Sequence, residues 1–257
     1  MTIRRFALTI EYDGAGFKGW QRQEQGIPSV QESIETAIAA FTGQNVTVHV
    51  AGRTDAGVHA LGQVAHVDLD VADTYQSYQV LKAMNAHLRE VPVAVVAARV
   101  VPNDFHARFS AINKLYTYRV LNRSAPLAIE RGRAWVVHPP LDVPAMRAGA
   151  AHLLGHHDFT TFRDSDCQAK SPIKTLDRLD IEVMPDIPSG GIQLHIHAEA
   201  RSFLHHQVRN MVGMLVGVGL GRFTPDDVAS ALAARDRTRA GVTAPPDGLY
   251  LMRVDYP

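Results

Sequence analysis

The chain has 257 residues, 46% hydrophobic and 20% charged, with 26 basic side chains against 26 acidic ones. This composition excludes a disordered or fibrous polymer and supplies enough apolar surface for one large domain or two small ones. The balanced charge excludes a globally basic nucleic-acid binder, so any phosphate partner needs a local basic patch.

Taken in chain order, Phe6, Leu8, Ile10 and Tyr12 alternate, so residues 4–12 read as a strand with one buried face. Arg4 and Arg5 precede its alternating positions, without an apolar signal region. A loop follows, and then Ser29 and Glu32 form a capping-box signature ahead of an apolar face made by Val30, Ile34, Ala37, Ile38 and Phe41, ended near Gly43. Residues 45–50 and 62–69 read as strands, 77–88 as a helix, and the valine-rich run Val93 to Val101 as a further strand. The first half is thus expected to run β-α-β-β-α-β.

Between the strands at 45–50 and 62–69 lies Gly52-Arg53-Thr54-Asp55-Ala56-Gly57-Val58-His59-Ala60. It presents one carboxylate, Asp55, beside a cation, Arg53, between glycines that permit positive φ and close approach by another backbone. A solitary carboxylate suits nucleophilic chemistry better than a paired acid and base. The plainer alternative is a turn in which Asp55 bonds its own backbone amides.

In the second half, strands at about 110–121 and 133–138 precede a helix opened by Asp142. Further strands follow at about 175–184 and 192–200, the latter alternating Ile192, Leu194, Ile196 and Ala198. Period two puts Tyr116 and Tyr118 on one face of their strand, where by the pattern alone they read as two core aromatics. A long helix is expected from Ser202, with Val208, Met211, Val212 and Leu215 as its apolar face, so that Arg209 among them is either partly buried with a partner, Asp55 being the obvious one, or turned outward and solvated. Thr224-Pro225-Asp226-Asp227 opens a short helix over 225–234, and Leu249 to Val254 closes as a strand. The longest apolar stretch, Met211 to Leu220, is too short to span a bilayer, and the single cysteine, Cys167, fits a reducing cytoplasm and reads as a spectator. These elements indicate an α+β fold with a mostly antiparallel sheet covered by helices on one face. The expected division is an N-terminal half, 1–105, carrying the Asp55 loop, and a C-terminal half, 106–257, carrying the Tyr116 strand and the Arg209 helix.

Several blocks in order resemble the TruA family of tRNA pseudouridine synthases. They are Tyr12-Asp13-Gly14-Ala15-Gly16-Phe17-Lys18-Gly19-Trp20-Gln21, the Asp55 string, Phe105-His106-Ala107-Arg108, Tyr116-Thr117-Tyr118, His157-Asp158-Phe159-Thr160, Val208-Arg209-Asn210-Met211-Val212-Gly213 and Gly248-Leu249-Tyr250-Leu251. One such block is weak evidence, but ordered blocks over essentially the whole chain are strong. The resemblance implies two ferredoxin-like (RRM-like) halves sharing one sheet, with a central cleft. It also implies a homodimer, tRNA as substrate, and isomerisation of uridine at positions 38, 39 and 40 of the anticodon stem-loop, without metal or organic cofactor. Asp55 is then the catalytic carboxylate and Arg209 the guanidinium that keeps it ionised and oriented. Tyr116 contacts the flipped uracil, Arg53 meets the RNA backbone or fills the gap left by the base, and Leu249 packs on the target base. Whether Asp55 acts on the sugar, on the base or on a proton stays open at this level. Lys18, Trp20, Arg22, His106, Arg108 and Arg163 form the candidate RNA-facing group, with a half-buried loop anchor as the alternative for Trp20.

Two other functions compete. An RNA binder without chemistry has no use for a carboxylate in a phosphate-facing cleft, which argues against it. A metal-dependent hydrolase built on His156-His157-Asp158, His195-Ile196-His197 or His205-His206 lacks a His-Glu-x-x-His helix or a cysteine set, so no metal is expected.

Overall fold

The computed structural model describes residues 2–24, 26–72, 74–184 and 190–257. It divides into two compact units, Met1–Ile112 with Tyr250–Pro257, and Asn113–Leu249. Both are mixed α and β, with mostly antiparallel pairing.

The first unit runs β1 (Thr2–Tyr12), α1 (Val30–Thr42), β2 (His49–Val50), β3 (His59–Val71), α2 (Ser77–His87) and β4 (Val93–Val101). β1 is central, antiparallel to both β3 and β4, and β2 pairs antiparallel with β3. The alternation in β1 does what it promises: Phe6, Leu8 and Ile10 are fully buried, each worth about 1.5–3 kcal/mol of transfer free energy. Ser29 caps α1 by accepting the Glu32 N–H at 3.3 Å. The expected strand at 45–50 shrinks to His49–Val50 because side chains take over its ladder bonds. Gln44 exchanges both amide bonds with the main chain of Asp70, at 2.9 and 3.0 Å, and the buried Glu35 carboxylate accepts the Val48 N–H at 3.0 Å.

The second unit contains β5 (Asn113–Asn122), β6 (Trp135–Val137), α3 (Val143–Ala151), β7 (Gly155–Asp158), β8 (Ile173–Leu176), β9 (Arg178–Met184), β10 (Ile192–Ala200), α4 (Gln207–Gly219) and α5 (Pro225–Ala234). β10 pairs antiparallel with β5 and β9, β6 runs parallel to β5, and β7 with β8 forms a separate two-stranded ladder. The strand expected over 175–184 is therefore two, split at Asp177, where the chain changes partner from β7 to β10 and the Asp177 N–H donates to Glu199. β7 itself lacks an alternating signal and was not expected.

The helix expected from Ser202 starts five residues later, at Gln207. His206 sits at φ +59°, a conformation that cannot propagate a right-handed helix, and its ring is held by Asp164 at 2.7 Å. Every residue of α4 except Arg209 is buried. Gly213 is where the backbone of residues 242–244 comes closest: a Cβ there would lie 1.8 Å from the Val242 carbonyl oxygen. Alanine is the better helix former by about 1 kcal/mol, but overpacking of this severity costs about 1–3 kcal/mol or more. Gly213→Ala is accordingly expected to destabilise the protein in denaturant unfolding, and a gain in stability would show that the 242–244 segment yields.

β11 (Leu249–Asp255) begins on the last residue of the second unit and from Tyr250 belongs to the first, where it runs parallel to β3 through Tyr250 opposite His59 and Leu251 opposite Ala60. No helix among the described residues is long and apolar enough to cross a membrane.

Candidate functional site

The Asp55 loop connects β2 to β3 and is fastened along its length. Ala51 N–H donates to Val64 at 2.8 Å, Gln63 Nε2 donates to the Gly52 carbonyl at 2.8 Å, and Thr54 Oγ1 shares a hydrogen bond of 2.8 Å with the Tyr12 hydroxyl. The Thr54 carbonyl accepts the Trp20 N–H at 3.0 Å, and the turn closes through its own main chain, Val58 N–H to Asp55 carbonyl at 3.2 Å. Gly57 supplies the positive φ, +80°, that this closure needs. Between Ile10 and Tyr12 the β1–β3 register shifts, an irregularity that accompanies the approach of Tyr12 to the loop. The result is a half-exposed Asp55 on a loop whose flanks, Thr54 and Val58, are buried.

Beneath it the polar groups are dry. Tyr12 and Gln63 are both buried, and Gln63 Nε2 also reaches the Tyr12 oxygen at 3.4 Å. Burial, with a smaller contribution from the Asp55 charge, pushes the Tyr12 hydroxyl up to about 12, so it stays a neutral hydrogen-bonding strut. The turn at Asp13–Gly16 abuts the loop from the side: Gly14 N–H donates to His59 Nδ1 at 3.0 Å, and Asp13 Oδ1 lies 3.2 Å from the same nitrogen. Tyr12 and His59 were named from sequence only within their strand and loop string, not as supports, and Gln63 was not named. The available signal was a polar glutamine in a strand buried on both faces.

In the second unit, Tyr116 and Tyr118 do share a face of β5. Tyr118 is a core residue: fully buried, bonded to the Pro245 carbonyl at 2.7 Å, with burial holding its hydroxyl well above the usual tyrosine range. Tyr116 is 9% exposed and meets Phe203 edge to face at 5.3 Å. Arg209 is half-buried and its Nε donates to the Ala244 carbonyl at 2.8 Å, while its own carbonyl accepts the Ala244 N–H at 3.1 Å. Asn210, fully buried, ties the same region down through Phe162, Thr243 and Arg237. Arg209 and Tyr118 thus fix the segment at 244–245, from which a short turn at Pro246–Gly248 delivers the buried Leu249.

The candidate RNA group is more mixed. Lys18, Arg53 and Arg108 are exposed, and His106 and Arg163 are half-exposed. Trp20 is 1% exposed and packs on Tyr12 at 6.0 Å, so it holds the loop rather than offering a ring to a polynucleotide. Arg22 is committed to the buried Glu35 at 3.1 Å. Among the paired histidines, His156 bonds Thr175, His157 bonds Leu154, and His197 bonds both Thr117 and Glu182. The His205 and His206 rings are tilted against each other at 4.0 Å beside Asp164, whose carboxyl is lowered against its burial by the Asp166 N–H and the His206 ring.

A sequence profile of tRNA pseudouridine synthases matches residues 8–110 and 150–257. The chain is 57% identical over 252 residues to tRNA pseudouridine synthase A of Paramagnetospirillum magneticum, covering 98% of this chain and 95% of that protein. It is 57% identical to the protein of that name from Afipia carboxidovorans and 56% to that from Bradyrhizobium diazoefficiens, each over 98% of this chain and 99% of the relative.

Proposed function

The chain belongs to the tRNA pseudouridine synthase family, and from that premise we propose that it isomerises uridine to pseudouridine in the anticodon stem-loop of tRNA, at positions 38, 39 and 40. As a pseudouridine synthase it is an isomerase. The N1–C1′ bond of the uridine breaks, the uracil turns, a C5–C1′ bond forms, and the C5 proton leaves while N1 regains one, so that no atom or electron is gained or lost. Such a reaction asks for a carboxylate able to act on C1′ or take a sugar proton, a flipped base out of water, and removal of the C5 proton.

The observation that carries the reading is Asp55 itself, a half-exposed carboxylate on a loop held by backbone bonds and by the buried Tyr12–Thr54 pair. Catalysis gains when the reacting group is already in place, because misplacement by about 1 Å costs on the order of 10²-fold. Arg209 is the proposed catalytic guanidinium, Tyr116 the ring and hydroxyl on the uracil, Leu249 its apolar neighbour, and Arg53 a contact to the RNA backbone. The strand order β4-β1-β3 with β2 also on β3, and the β-α-β-β-α-β succession, support reading the first unit as a ferredoxin-like half. The same reading takes the protein to be a cytoplasmic homodimer, a second copy giving a chain without net charge a larger grip on tRNA.

The test is tRNA transcript tritiated at uracil C5. Substitution at that carbon releases label to water, so release is expected from transcripts with uridine at 38, 39 or 40 and none when all three are cytidine. Release that persists from the cytidine transcript would move the target elsewhere, and none from any tRNA would refute the activity.

A further inference from the structure

An aromatic ladder in the first unit plays no part in fastening the Asp55 loop. His49 on β2 lies opposite His66 on β3, their rings stacked at 5.0 Å and 23°. His106 meets His66 at 4.7 Å and His49 at 5.9 Å, and Phe109 lies on His106 at 4.3 Å. The ladder runs outward, from His66 at 2% exposure to Phe109 at 72%. The Arg108 guanidinium stands 5.9 Å from the Phe109 ring centre.

Phe109 is not needed to build its own turn. Ser110 N–H donates to the His106 carbonyl at 2.9 Å, His106 N–H donates to Ser110 Oγ at 3.0 Å, and His106 Nδ1 accepts the Arg108 N–H at 3.1 Å. Nearby Asp68 is neutralised by two bonds of 2.7 Å from Arg5, which removes a repulsive charge from the surroundings. Burial and the neighbouring imidazoles push His66 down to about 4, and burial also holds His106 below its ordinary value, so these two rings are neutral and flat at pH 7. An exposed phenyl ring backed by an imidazole and flanked by an arginine is the chemistry that receives an unstacked base and its phosphate.

We propose that Phe109, with His106 behind it and Arg108 beside it, is a stacking seat for an unpaired nucleobase of the tRNA. This rests on the reading of the chain as a tRNA-modifying enzyme. His66 lies seven residues beyond His59 on β3, so at roughly 3.3 Å per residue the ladder is about 23 Å from the strand end that carries the Asp55 loop. The seated base is therefore not the reacting uridine but one held remotely, and because every base has a π face the seat is tolerant of its identity.

The experiment measures tRNA dissociation constants, and kcat and KM from label release, for the wild type, Phe109→Ala, Phe109→Leu and Phe109→Trp, with sedimentation of each protein alone. Alanine and leucine are expected to raise Kd and KM about tenfold with kcat at saturation preserved, and tryptophan to restore both. Affinity restored equally by leucine would replace stacking by plain apolar contact and overturn the proposal. So would unchanged affinity in Phe109→Ala, or a dimer that dissociates in that variant, which would make the ledge a contact between copies. A wild type that binds tRNA through Phe109 yet releases no label would overturn the synthase reading and leave the ledge standing.

Discussion

Asp55→Asn is expected to lower label release from C5-tritiated tRNA by about four orders of magnitude or more, the scale on which loss of a single reacting group acts, while tRNA affinity stays within a few-fold of the wild type. The amide has the shape of the acid, and the loop around residue 55 is held by Tyr12, Gln63 and main-chain bonds that the substitution leaves in place. Asparagine therefore keeps these supports and removes the charge and basicity proposed to act on C1′ or on a proton. Single-turnover label release with enzyme in excess, alongside filter binding, separates the two quantities. Turnover within about tenfold of the wild type would take the chemistry away from Asp55, and a parallel collapse of affinity would make it a docking residue.

What the sequence made legible was whatever has a short period or a local cap. The alternation of β1, the Ser29 and Asp142 caps, the Thr224-Pro225 start of α5 and the valine run of β4 are local preferences that tertiary structure had no reason to override. The partial burial of Arg209 was legible in the same way, from its place on an apolar helix. The failures share a cause, which is that the deciding partner lies far away in sequence. The 45–50 strand is pre-empted by Gln44 bonding to Asp70 and by Glu35, the 175–184 strand is cut where its partner changes, and α4 is delayed because Asp164 holds His206. Likewise Trp20 reads in isolation either as an RNA-facing ring or as a half-buried loop anchor. Its main-chain hydrogen bond to Thr54 and its contact with Tyr12 decide for the anchor. The candidate acid could be found from its glycine-flanked setting, but the struts that aim it could not.

Those struts make a second large effect predictable from two neighbouring glycines in one turn. A Cβ on Gly14 would stand 2.1 Å from the Val58 carbonyl oxygen and 2.5 Å from its carbon, both backbone atoms of the Asp55 loop's descending limb, whereas a Cβ on Gly16 meets nothing within 4 Å. Neither residue has a positive φ, so the contrast is one of space and not of backbone strain. Gly14→Ala must separate the 13–16 turn from residues 57–58 by an ångström or more, which also breaks the Gly14 N–H bond to His59. A shift of about 1 Å at a reacting group costs on the order of 10²-fold in rate. The overpacking adds about 1–3 kcal/mol of instability. Gly14→Ala is thus expected to lose about a hundredfold in kcat with a modest drop in melting temperature, and Gly16→Ala to match the wild type in both. If Gly14→Ala retained full kcat while losing stability, the loop's position would not matter to the rate, and the case for a pre-aimed carboxylate at residue 55 would fall with it.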